Sequence, residues 1–233
     1  MTNEKEFEQE LTKIMKVANE DGLYASYLID DALKQFPLKE EQDALNALRQ
    51  GIANDLKKKN ISSKTKLTTL QLINFLKNKV VDYIFMFCYL ELKKREDIDT
   101  FANEFQHFFN GNSFENKGYQ TLIYTLLEEN KIDFDYKIEN QIINPKKLGS
   151  FTNNPNIKKI EKELLNFYSK DIAKYKTASQ VFSAYLFENW INILLNKTIN
   201  EYETIVNVTE VLLGNKPKDT LTEKELEVYK IFL

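Results

Sequence analysis

Carboxylates are the side chains of this sequence best placed to do chemistry. Asp30-Asp31, Asp97 with Asp99, and Asp133 with Asp135 each set two acidic groups close together, and paired carboxylates supply the hard oxygen ligands that divalent cations take. On an extended strand Asp133 and Asp135 share one face, where two magnesium ligands could sit. The alternation with Phe134 and Tyr136 explains the same pattern as the wet side of a half-buried strand. That simpler explanation is preferred, and no metal site is assigned; a carboxylate-metal enzyme stays open as a second alternative.

His107 is the only histidine, so no site built on several histidines exists. It lies in Phe105-Gln106-His107-Phe108-Phe109, where a packing histidine fits better than a general base. Cys88 with His107 would make a thiol nucleophile and its base, but Cys88 sits inside Phe85-Met86-Phe87-Cys88-Tyr89, the setting of a buried, inert thiol. As the single cysteine it forms no intramolecular disulfide. Arg95 precedes His107 by twelve positions, too far for the Arg-His spacing of helical nucleases. GxxxxGK[ST], GxGxxG and GxSxG are all missing. The expectation is therefore no catalytic residue and no cofactor.

The elements that must position any site are read from periodicity. Phe7, Leu11, Ile14, Met15 and Ala18 recur at helical spacing. Asp21-Gly22 interrupts them, a helix from about Leu23 to Gln35 follows, and Pro37 opens a third that runs to Lys57-Lys58-Lys59. Ser62-Ser63 offers caps for the stretch Leu67–Leu92, whose second half is apolar on nearly every side and must be surrounded. A helix over Phe101–Phe109 stops at Asn110-Gly111-Asn112, and another covers Asn116–Glu129. Residues 131–139 alternate with period two, the mark of a strand, which needs a partner in Gln141-Ile142-Ile143, in a second copy, or in another protein. Residues 140–156, with Pro145, Gly149 and Pro155, read as a loop and domain boundary. Helices over 157–175, 179–196 and 201–213 follow, and Thr222-Glu223-Lys224-Glu225 is a capping box.

The fold class expected is all-α: a bundle of about eight to ten helices around a buried central helix at 67–92, with one short β element near 131–143. An N-terminal bundle would span 1–139 and a C-terminal helical part 157–233, although both also fit one continuous domain. Only 6 Gly and 4 Pro occur, too few for the many turns of sandwiches and barrels. No apolar run reaches membrane-spanning length, and MTNEKEFEQEL is not a signal sequence, so the expectation is a cytoplasmic protein with no membrane partner.

Apart from Arg49 and Arg95 every basic residue is lysine, which with the many Asn and Ile suits an AT-rich genome. Residues 131–199 hold 11 basic and 7 acidic side chains in a chain of net charge −3. Lys146, Lys147, Lys158, Lys159 and Lys162, within a lysine-rich 146–176 region interleaved with aromatics, could track a phosphate backbone; a solvated helix face explains them equally simply. Leu221-Thr222-Glu223-Lys224-Glu225-Leu226-Glu227-Val228-Tyr229-Lys230-Ile231-Phe232 resembles the first helix of a LuxR-type or sigma-factor-type helix-turn-helix. The likeness covers twelve residues without a recognition helix, so it assigns no DNA-binding residue and no family.

With 16 Phe and 12 Tyr and no catalytic constellation, the sequence favours a binding protein over an enzyme. The expectation is a bacterial or phage-borne accessory protein of immunity, inhibitor or adaptor type that binds another protein stoichiometrically. Its contacts would come from Phe105, His107, Phe108, Phe109, Phe134 and Tyr136, since aromatics anchor interfaces. A second copy of the chain is also an admissible partner. A nucleic-acid-binding regulator using the 146–176 lysines is the alternative.

Overall fold

A computed structural model of the chain describes residues 2–59, 65–77, 83–111, 116–197 and 201–233. Among these, eleven α-helices and two short 3-10 segments accompany one two-stranded sheet, an all-α, multi-helix fold. No helix among the described residues is long and apolar enough to cross a membrane. The chain divides into two compact units, Met1–Phe105 and Gln106–Leu233.

The first unit contains α1 (Thr2–Glu20), α2 (Gly22–Gln35), α3 (Lys39–Lys59), α4 (Thr69–Lys77) and α5 (Tyr83–Leu92). One buried carboxylate organises its start. Asp21 Oδ1 accepts from Tyr24 N at 2.9 Å and so caps α2, while Oδ2 accepts from Thr65 Oγ1 and Lys66 N at 3.0 and 2.7 Å. The next residue, Gly22, lets α3 approach: a Cβ there would stand 3.1 Å from Leu56. Gln42 of α3 donates to Leu33 O and Phe36 O and satisfies carbonyls at the end of α2. Ile14, Ile29, Leu45, Leu72, Phe75 and Phe85 form the core.

The stretch expected as one helix over 67–92 contains two. α4 and α5 pack on one another, which the two halves of a single straight rod could not do. The continuity expected at 78–82 lies outside the described residues, as do the Ser62-Ser63 caps. α2 and α3 also pack on α5, and Ile84, Phe85, Cys88 and Leu92 are buried. Tyr83 and Leu90, however, are exposed, so α5 is covered on one side and not all round.

A 3-10 segment, Ile98–Phe109, stands where an α-helix over 101–109 is expected. The second unit continues with α6 (Lys117–Glu129), β1 (Tyr136–Ile138), β2 (Gln141–Ile143), α7 (Pro145–Leu148), α8 (Pro155–Tyr168), α9 (Ile172–Leu194), α10 (Glu201–Leu212), a 3-10 turn (Lys218–Thr220) and α11 (Glu223–Lys230). The alternating segment does form a strand, shorter than expected, and its partner is Gln141–Ile143: β1 and β2 are antiparallel with Tyr136 opposite Ile143. Glu139, at φ 50°, turns the hairpin. The free edge of β1 is met by Gln106, whose side-chain amide donates to Lys137 O and accepts from Lys137 N.

The boundary expected at 140–156 lies inside this unit. Asn144 Nδ2 donates to Asp133 and Asp135, Lys146 N donates to Ile132 O, and Tyr124 OH donates to Gly149 O. Loop-like composition signalled a linker, but part-buried hydrogen bonds fasten the loop to the α6–β1 region. The helix expected over 157–175 also breaks sooner. Asp171 accepts from Lys174 N at 3.0 Å and caps a new helix, α9, at Ile172.

Candidate partner-binding groove

Four of the aromatics expected at a contact surface are core. Phe105, Phe108, Phe109 and Tyr136 are each no more than 1% exposed, so they have no face to offer a partner. Phe109 packs on Tyr136 at 5.1 Å and on Trp190 at 6.1 Å, and Trp190 on Tyr124 at 5.6 Å. The Trp190 indole N–H donates to the Gln120 side chain at 3.3 Å, which satisfies the polar end of a buried ring. Burial pushes the Tyr136 hydroxyl above its usual pKa, and burial with the charge of Glu128 does the same at Tyr124. Phe134 and His107 are half-buried; Phe134 packs against Tyr136 with tilted rings and His107 meets the Phe108 ring edge-to-face. Cys88 is fully buried, so its thiol does not face solvent.

The lysines do not make one surface. Lys146 and Lys147 pair with Asp133 and Asp135 at 3.1 and 3.5 Å. Hydrogen bonds from Asn144, then the lysine charges, hold both carboxyls below the usual range. These two acids, read first as candidate metal ligands, belong to an asparagine-centred clasp between the approach to β1 and the start of α7. Among the described residues no three of His, Cys, Asp and Glu come together. On α8, Lys159 approaches Glu163 at 4.0 Å, Lys158 donates to Asn153 Oδ1 at 3.0 Å, and Lys162 is exposed.

What the sequence reading missed lies between α8 and α9. At 3.6 residues per turn, Ile172, Lys176, Ser179, Ser183, Phe187, Trp190 and Leu194 follow one stripe along α9. At the C-terminal end Trp190 and Leu194 are buried, and α6 packs on α9. Toward the N-terminus the same stripe is uncovered: Ile172 is 85% and Phe187 42% exposed. α6 begins beside Phe187, for a methyl on Gly118 would stand 3.7 Å from that ring.

Residues within 175–187 of α9 and the neighbouring α8 line an open groove of about 370 Å³. Ile157 and Leu164 of α8 form one wall, and Phe151, Phe182 and Leu186 close the bottom. Leu165, 47% exposed, extends the apolar surface along α8. Ser179 and Ser183 donate to Tyr175 O and Ser179 O, so their hydroxyls are satisfied within the helix and need nothing from an occupant. Covering each exposed large side chain is worth roughly 1–2 kcal/mol. Lys158 and Lys162 of α8 and Lys176 of α9 are exposed, and Glu161 is the charged residue in the groove's lining.

A cleft of about 460 Å³ in the first unit differs in character. Ala18, Gly22, Ala47 and Gly51 give it small walls, and Lys16, Glu20 and Asp55 bring both signs of charge. It lacks the aromatic lining of the α8–α9 groove.

The C-terminal segment that resembles a helix-turn-helix start is explained by its cap. Thr222 and Glu225 form a reciprocal capping box on α11. Burial pushes Glu225 upward, but hydrogen bonds from Asn207 and Thr222 outweigh it and hold the carboxyl below its usual range. The chain matches no protein-family model, no curated protein and no solved structure.

Proposed function

We propose that this chain is a non-enzymatic binding protein that acts by stoichiometric contact with another protein, in an immunity, inhibitor or adaptor role. The observation that carries the reading is the open groove between α8 and α9, lined by Phe151, Phe182 and Phe187, with Phe187, Ile172 and Leu165 exposed on the same two helices. Contiguous exposed apolar surface rimmed by polar residues marks interaction sites. The contact surface proposed is the α8–α9 groove, because Phe105, Phe108, Phe109 and Tyr136 are each buried. A reducing cytoplasm suits the lone, buried Cys88, and a bacterial or phage-borne source remains part of the proposal on composition alone.

The test is capture from the source organism's lysate on the tagged full-length chain. The eluate is read by mass spectrometry and by its 260/280 nm absorbance ratio. One protein retained in molar equivalence through moderate salt is the expected result. A nucleic-acid signal that salt or nuclease removes would overturn the proposal in favour of the lysine-borne alternative.

A further inference from the structure

The α8–α9 groove carries enough detail to describe its occupant. We infer that it receives an amphipathic α-helix of a partner protein, with acidic residues flanking the apolar stripe of that helix. This rests on the protein-binding reading and goes further by naming the chemistry that is bound.

Shape is the first argument. α6 covers the C-terminal end of one α9 stripe at Trp190 and begins beside Phe187, and the same stripe runs on exposed at Ile172. Among the described residues no helix continues the α6 layer over Ile172, which stays exposed. From Ile172 to Phe187 the open run extends about 24 Å at 1.5 Å per residue, which suits an occupant of roughly 16 residues with apolar anchors at i, i+4, i+7 and i+11. Ser179 and Ser183 let a second backbone come near, and helices in contact sit about 8–10 Å apart. Both walls are helices whose backbone groups are bonded within themselves, so an extended strand would find no edge to join.

Charge is the second argument. Lys158 and Lys162 lie one step round α8 from the groove-lining row Ile157, Glu161 and Leu164, and Lys176 stands on the α9 side. Among the described residues no carboxylate pairs with Lys162 or Lys176, and Lys158 is bonded to the neutral Asn153 side chain. Three lysines against Glu161 leave a positive rim, and complementary potentials govern which partner docks. Acidic flanks on the incoming helix satisfy that rim. A phosphate backbone would also answer the charge, but it would leave the apolar floor uncovered.

The experiment is a selection of random 16-residue peptides displayed on phage against the full-length chain. Enriched peptides are then measured by fluorescence anisotropy. Expected are peptides of net negative charge with helical apolar spacing, which lose about tenfold or more in affinity on Ser183→Trp and on Phe187→Glu. The triple change Lys158→Glu, Lys162→Glu, Lys176→Glu should weaken the same peptides and reverse the charge preference of a repeat selection. Two groove variants are used so that misfolding of one, seen in its circular dichroism melt, leaves the other to decide. No enrichment, enrichment without acidic bias, or equal binding to both folded groove variants overturns the inference. So does a wild-type chain that dimerises in sedimentation and becomes monomeric on Phe187→Glu, because the occupant is then a second copy. A lysate partner that binds wild type and both groove variants alike leaves the protein-binding reading standing and removes this inference alone.

Discussion

The two ends of one stripe along α9 meet different fates. Trp190 and Leu194 are sealed on the side where α6 packs, whereas Ile172 and Phe187, on the same face, lie open. Nothing in the helix's own periodicity separates them. The difference comes from where a neighbouring helix begins, and it teaches that an apolar residue's role is set by its cover as much as by its type. Where the cover exists, the stripe supports folding; where it stops, the stripe is available to a partner.

The comparison is broken most severely at its covered end. Trp190→Ala should cost about 3–5 kcal/mol, read by urea denaturation, because it empties a site in contact with Phe109 and Tyr124 and leaves Gln120 without its indole donor. A loss under about 1 kcal/mol would mean the ring is not the core anchor described. Next in size is Asn144→Ala, which removes the α7 cap and the amide shared by Asp133 and Asp135. A loss of about 1–2 kcal/mol is expected, and no loss would show that the clasp does not hold the β2–α7 corner.

Tyr185 sharpens the contrast from another side of α9. Its hydroxyl is buried without a hydrogen-bond partner among the described residues, and Lys224 stands 5.7 Å over the ring. Tyr185→Phe should leave stability unchanged or raise it by up to about 1 kcal/mol; a clear loss in a thermal melt would reveal a partner for that oxygen.

Acid gives a smaller effect with a definite sign. Asp133 and Asp135 are held below their usual pKa by Asn144 and the adjoining lysines. Their stabilising contribution is therefore present above the unfolded carboxylate value of about pH 4 and is lost as pH falls through their folded values. NMR titration of the two carboxyl carbons should find both midpoints lowered, and Asn144→Ala should return them toward normal. Midpoints that do not move on Asn144→Ala would contradict the assigned cause. Smallest for folding is Phe187→Ser at the open end, within about 0.5 kcal/mol of wild type, although it should abolish partner capture.

Much of the fold is legible in the residues. Scarce glycine and proline point to helices, the alternation around Tyr136 to a strand, and Gln141–Ile143 is the strand's partner. The Thr222–Glu225 box is seen as read. The break between α8 and α9 is harder to read, because Asp171 sits within an otherwise helical pattern and acts as a cap only when its side chain turns back to Lys174 N. Phe108, Phe109 and Tyr136 mislead for a physical reason: aromatic content serves cores and interfaces alike, and only burial separates the two. The groove is illegible for a related one. It joins side chains of α8 and α9 distant in sequence, and its opening depends on α6 starting at Lys117. Ile172 and Phe187, in phase with Trp190, were the signal available.

The most direct measurement is titration of the captured partner protein, by calorimetry, into wild-type chain and into Ser183→Trp. The account predicts one-to-one binding to wild type and a loss of about tenfold or more in affinity for Ser183→Trp at unchanged melting temperature. Equal affinity for both would place the contact elsewhere and contradict the α8–α9 groove as the working surface.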